Sequence, residues 1–270
     1  MPDFLSHSIF ADELLAGEFP RAELCRTHGN LFRLGAQGPD LFYYCAALRE
    51  HARFTQLADA LHAEGAEAPV LRLLREKLAA PAPDAPEIAY LMGWLAHLQL
   101  DAAAHPYICE RARMLADALH MPESCAHVMF ESTIEARELL EKRGIEPRRF
   151  DYRRDLPHGT KEGMLVARLC GEICAASSLC APAPAPARLA AAIAQLPALF
   201  AVLFDRCGVV KAVLDLKYNL TRRDFEARWH IKRPYRPAFA ASILPGGEYA
   251  HYLSLAARGK DRWLTLARAL

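Results

Sequence analysis

One helix-length stretch constrains this chain more than any other: "GWLAHLQLDAAAHPYI", Gly93 to Ile108. Trp94, Leu95, Leu98 and Leu100 mark it as a helix for a protein interior, yet His97, Asp101 and His105 recur within it every four residues. A helix turns about 100° per residue, so a step of four displaces a side chain by only about 40°. The three polar groups therefore share one narrow stripe. An unpaired carboxylate in such a place is costly, so Asp101 needs a cation or a dense set of donors. A metal ion meets that need, and imidazole with carboxylate suits zinc, with manganese or iron as substitutes.

A second pair repeats the spacing: His127 and Glu131 in "CAHVMFES". Alone, such a pair reads as an ordinary i,i+4 contact on a helix. Beside the first stripe it reads as a further ligand pair.

The rest of the sequence is helical in character. Apolar residues recur at three and four in "RLLREKL" and "ESTIEARELLEKRG", and Gly144 sits where the latter helix should end. Strand alternation is scarce. Helices are expected near 6–17, 40–64, 67–79, 86–104, 108–119, 122–143, 160–178, 187–206, 208–217 and 238–256, with one more at the C-terminus. The proline-rich breaks at 79–87 and 181–187 read as loops between helices. The first falls among the candidate ligands, so it does not divide independent domains. The expectation is a single all-α, bundle-like domain over 1–270, in which polar sites are built between facing helices.

Composition narrows the function classes. Lys and Arg total 33 against 32 for Asp and Glu, so no global field recruits nucleic acid or anionic lipid. Nine basic residues and three acids between Arg206 and Arg236 make a local exception, read either as a solvated face or as a rim for a phosphate-bearing substrate. The opening "MPDFLSHSIF" lacks the basic and apolar regions of a secretory signal, and no uninterrupted apolar run is read as long enough to span a bilayer. Eight cysteines lie scattered without a CxxC pair, which fits reduced, mostly buried thiols and a cytoplasmic protein.

Five blocks in order carry a resemblance: "MPDFLSH", "LGAQGPDLFYY" at 34–44, "LADALHAEG" at 57–65, "GWLAHLQLDAAAHPYI" and "HVMFE". Over about the first 145 residues the chain resembles the bacterial zinc-dependent phospholipase C-like family, related to the zinc phospholipases C and the fungal single-strand nucleases. That resemblance implies up to three zinc ions in an all-α fold. One would be held by Asp40, His62 and His97, with Asp101 reaching across; a second by His105, His127 and Glu131. The third would share Asp101, take His7, and be completed by the nitrogen and carbonyl of Pro2 once Met1 is removed. His62, not His51, matches the position of the remaining histidine. Residues 146–270 would add helices and a substrate rim.

From the residues themselves, Gly35, Gly38 and Pro39 fit a turn that delivers Asp40 to a helix start, where it also favours the helix dipole. Phe42, Tyr43 and Tyr44 are assigned to core packing before any role in a cleft. His28, His120, His158, His230 and His251 have no partner at ligand spacing. The expected activity is metal-dependent hydrolysis of a phosphodiester. Asp40 and Asp101 are the catalytic candidates, and the expected partner is a phosphate-ester small molecule or a phospholipid headgroup. A nuclease or nucleotidase of the same chemistry and a metal-stabilised scaffold without turnover stand as alternatives.

Overall fold

The computed structural model describes residues 4–46, 51–177, 185–221, 230–232 and 236–270. Among them there is no strand, and the architecture is the all-α single domain expected. The order is α1 (Phe4–Leu15), α2 (Ala22–Thr27), α3 (Gly29–Gly35), α4 (Asp40–Ala46), α5 (His51–Leu61), α6 (Glu67–Ala79), α7 (Ala85–Leu119) and α8 (Glu123–Arg143). After two short 3-10 turns come α9 (Thr160–Ala176), α10 (Pro186–Ile193), α11 (Leu196–Phe204), α12 (Val209–Thr221), α13 (Pro237–Ile243) and α14 (Gly246–Ala269).

α7 is the spine, and α1, α2, α3, α6, α8, α9 and α14 all pack on it. It starts at Asp84, whose carboxylate caps the N–H of Glu87, and ends at His120 in the left-handed conformation. Two helices were expected here, broken near Pro106; instead one helix of 35 residues runs through it. Proline in a helix interior costs about 3 kcal/mol. The burial of Leu100, Ala104, Ile108 and Ala112 on one continuous stripe outweighs that cost.

Close backbone contact sets where α3 crosses α7. A methyl group added at Gly35 would lie 2.0 Å from the Tyr90 carbonyl oxygen, and one at Gly93 would lie 2.0 Å from that of Phe32. No side chain larger than hydrogen fits at either position. α14 approaches the same spine at Gly259, and its Trp263 donates a hydrogen bond to the Met92 carbonyl at 3.1 Å.

Several other boundaries differ from expectation. α2 and α3 went unread because "LCRTHGNLF" is short and carries few apolar repeats. The single helix expected over 187–206 is two, since Pro197 opens α11. Pro245 likewise separates α13 from α14. The stretch Pro186–Phe204 is long and apolar enough by length and composition to cross a membrane, against the reading above. It folds as α10 and α11, with Leu189, Ile193, Leu196, Phe200 and Phe204 turned into the core.

The first turn of α1 is tied down by buried acids. Glu135 accepts the Leu5 backbone N–H at 2.5 Å through one oxygen and Lys232 Nζ at 2.6 Å through the other. Leu5 N–H is one of the amides that a helix start leaves without an internal partner. Glu138 accepts from Ser6 Oγ at 3.1 Å, and Asp155 accepts from Ser8 Oγ at 2.5 Å. These bonds fix α1 on both sides of His7.

Candidate metal centre

Three segments converge on the α7 stripe. His7 comes from α1, Asp40 from the first residue of α4, and His62 from just past α5. The turn before Asp40 is the one expected: Gly38 has φ +50, and an added methyl there would meet His97 Cγ at 2.4 Å. His7, Asp40 and His97 are fully buried, and Asp101 is 8% exposed.

The spacing of the ligand atoms is regular. His62 Nε2 lies 3.2 Å from His97 Nε2 and 3.5 Å from Asp101 Oδ2, and His97 Nε2 lies 3.3 Å from the same oxygen. Zinc bonds of about 2.0–2.2 Å in tetrahedral geometry separate neighbouring nitrogen or oxygen ligands by about 3.3–3.5 Å. The three atoms thus outline one face of such a site. Asp40 Oδ1 sits 3.0 Å from His62 Nε2 and 4.0 Å from His97 Nε2. On the other side, His7 Nε2 is 3.4 Å from Asp101 Oδ1 and 4.0 Å from Asp40 Oδ2, so both carboxylates bridge the two groups of histidines.

The outer contacts orient the rings. His62 Nδ1 is 2.7 Å from the Ala58 carbonyl and His97 Nδ1 is 3.2 Å from that of Ala36. A carbonyl only accepts, so each Nδ1 carries a proton and each Nε2 turns toward the centre, the arrangement of histidines that bind metals. The rings of His7 and His97 stack at 4.1 Å.

The electrostatics call for a positive charge. Burial acts to raise the Asp101 carboxyl, but the His97 and His7 imidazoles outweigh it and hold it well below the ordinary carboxylate range. Burial also acts to lower His62, but the facing Asp40 and Asp101 carboxylates prevail and hold it up at about 9. His97 is pushed down by burial and then by neighbouring His7. Among the described residues, both ring nitrogens of His7, Asp40 Oδ1 and Asp101 Oδ1 are buried without a hydrogen-bond partner. Unsatisfied groups at this density are costly. A divalent cation at the centre would satisfy His7 Nε2 and the two carboxylate oxygens together, and the donor set fits zinc.

A second group lies further along α7. The His105 and His127 rings are 5.4 Å apart, and His127 Nε2 is 2.9 Å from Glu131 Oε1. Burial lowers His105 to about 4, which keeps its nitrogens free of a second proton at neutral pH. Pro2 and the segment containing Cys180 lie outside the described residues, and so does the side chain of His51. The Pro2 ligand therefore stands as an expectation.

A cavity of about 570 Å³ opens onto the centre, lined by His62, Asp101 and His105 together with Glu64, Glu67 and Arg262. Arg262, on α14, is the cation of this cleft, and nothing in the sequence reading singled it out. Its only signal is its position three residues after Gly259, where α14 touches α7. The basic segment was read either as a solvated face or as a rim that would supply such a charge. Its first member, Arg206, instead lines a separate cavity with Arg148 and Arg149, and 222–229 and 233–235 lie outside the described residues. Phe42 is buried as expected; Tyr43 is half-buried, stacks on His62 at 5.9 Å and donates a hydrogen bond to Asp59.

No family model, characterised protein or solved structure matches this chain.

Proposed function

We propose that this protein is a zinc-dependent phosphodiester hydrolase of the phospholipase C-like type, as its sequence resemblance implies. The observation that carries the reading is the triangle of His62 Nε2, His97 Nε2 and Asp101 Oδ2, with edges of 3.2–3.5 Å. Asp40, His62, His97 and Asp101 would hold one ion, and His7 with the other oxygens of Asp101 and Asp40 would contribute to another. His105 and His127, with Glu131 beside His127, form a further position. When bound, the ions polarise a phosphoryl oxygen and lower the pKa of a coordinated water. The chain supplies the rest. Asp40 faces the centre, its Oδ1 3.0 Å from His62 Nε2, and is the carboxylate suited to accept a proton from the attacking water. Arg262, in the lining of the cleft, is the side chain suited to bind the phosphate anion. The two acids Glu64 and Glu67, which also line the cleft, favour a substrate with a cationic end or a small headgroup over a long polyanion. Among the described residues, no tyrosine, tryptophan or phenylalanine lines this cleft, so it offers no platform for stacked bases.

The test is turnover of a chromogenic phosphodiester by zinc-loaded protein, abolished by a chelator and restored by zinc. His97→Ala and Asp101→Asn should each remove activity and lower metal content, and Arg262→Ala should raise KM for the phosphodiester. Full turnover with undiminished metal in His97→Ala or Asp101→Asn would overturn the reading. A panel of phospholipids and single-stranded nucleic acids then assigns the substrate.

A further inference from the structure

None of the 13 residues of α12 is buried, yet the helix is rich in valine and leucine. Val209, Val213, Leu216 and Leu220 are 59–76% exposed, and they are four of the ten large apolar side chains left exposed among the described residues. At about 100° per residue the four fall within an arc of about 60° and form one stripe along the helix. Val210, Leu214 and Tyr218 are half-buried on another side, so the stripe is not the face turned toward the body of the protein. Lys211 and Asp215 pair with each other on the side opposite the stripe. Single exposed apolar residues are ordinary; a continuous row of them marks a contact surface.

Positive charge gathers where this helix begins. Asp205 accepts the Val210 and Lys211 backbone N–H groups at 3.1 and 2.9 Å, which fixes the start of α12. The next residue, Arg206, lines a cavity of about 250 Å³ with Arg148 and Arg149. Its Nη2 donates to the Phe150 carbonyl at 3.4 Å. The same nitrogen lies 3.8 Å from Asp151, a carboxylate that Arg153 holds closer, at 3.0 Å. An exposed pair of that length contributes little and leaves the cavity cationic. The chain from Arg206 to Val209 spans at most about 11 Å, so the arginine cavity and the apolar stripe adjoin.

We propose that α12 is a docking surface for an anionic lipid membrane. The aliphatic stripe enters the boundary between headgroups and acyl chains, and the arginine cavity takes a lipid phosphate. Charge selects an anionic partner, which a second copy carrying the same arginines is not. Area points the same way: a face about 20 Å long and about 10 Å wide offers about 200 Å², against about 800 Å² per partner in a stable protein interface. Valine and leucine give no platform for stacked bases, which sets nucleic acid aside. The total charge of +1 confines the attraction to this patch.

The test is sedimentation of the whole protein with vesicles of phosphatidylcholine, alone and mixed with phosphatidylserine. The proposal expects binding to the mixed vesicles only, weakening as salt is raised. Replacing Arg148, Arg149 and Arg206 together by Gln should lower binding roughly a hundredfold, from about fivefold per basic residue. Leu216→Gln with Leu220→Gln leaves the charge unchanged and should lower it at least tenfold. Far-ultraviolet circular dichroism establishes that the variants are folded. In Leu216→Trp, tryptophan emission should shift to the blue on adding mixed vesicles. Parent protein that ignores mixed vesicles, a leucine double variant that binds as well as the parent, or a Leu216→Trp spectrum that does not move overturns the proposal. So does a dimer by light scattering that the leucine variant dissolves, which would assign the stripe to a second copy. Vesicle binding needs neither zinc nor turnover, so this proposal and the hydrolase reading can fail separately.

Discussion

His62 and His97 point their Nε2 atoms at each other across 3.2 Å while each Nδ1 is held by a main-chain carbonyl. Asp101 Oδ2 closes the same triangle, 3.5 Å from His62 Nε2 and 3.3 Å from His97 Nε2. The proposed cation site is thus preorganised by main-chain contacts, and its stability would depend on the ion that fills it.

Zinc should stabilise the fold directly. At about 100 times its dissociation constant an ion that binds only the native state adds about 2.7 kcal/mol, or a rise in Tm of roughly 5–10 °C for a chain of this size. Differential scanning calorimetry with and without a chelator measures it. Asp101→Asn should abolish most of the shift, since Asp101 bridges both groups of histidines. An unchanged Tm in the parent protein on adding zinc would count against the centre.

Gly38→Ala should damage the site through His97. The substitution puts a methyl group 2.4 Å from His97 Cγ at φ +50, so it combines backbone strain of about 1–2 kcal/mol with displacement of the ring. Gly65→Ala is the control, because Gly65 has φ +83 but open space around its Cβ. Both variants should lose stability in urea titrations, and Gly38→Ala alone should also bind zinc more weakly.

Lys232→Met should lower stability by about 3–5 kcal/mol, the usual result of leaving a buried charge without its partner. Lys232 and Glu135 are 6% and 1% exposed and bond at 2.6 Å. Because Glu135 also holds Leu5, hydrogen exchange should show faster opening of α1 in the variant. Lys232→Met combined with Glu135→Gln should recover part of the loss.

Asp155 gives the pH dependence a definite sign. Burial raises its carboxyl to about 6, against the lowering effects of Ser8, Arg154 and Arg33. Between the unfolded value near 4 and about 6, the native chain keeps a proton that the unfolded chain has lost. This group's contribution to stability is therefore greatest below about pH 4 and declines as pH rises through 6, by up to about 3 kcal/mol. Asp155→Asn should gain stability relative to the parent at pH 7 and lose that advantage at pH 4, both measured by urea unfolding in chelator.

The metal stripe was legible because helical periodicity is a local property: His97, Asp101 and His105 sit on one face wherever that helix goes. Its partners were not local. Asp40 reaches the stripe only because Gly38 adopts a positive φ against the His97 ring, and His7 only because Glu135 and Asp155 grip α1. The resemblance to a known family pointed to those positions, and the geometry brings His7, Asp40, His62, His97 and Asp101 together. Pro106 misled the reading of α7, since intrinsic propensity was overridden by burial along the whole spine. Arg262 carried no periodic or motif signal, because its place in the cleft comes from how α14 lies across α7.

The grip of Glu135 on Leu5 has a consequence for biosynthesis. The contact spans 130 positions, so His7 has no anchored helix to stand on until α8 has left the ribosome. The ligand translated first is seated among the last, and an ion that arrives early meets only part of its site. Metal loading at the proposed centre would thereby be tied to completion of the N-terminal half, with the buried Glu135 carboxylate as the checkpoint.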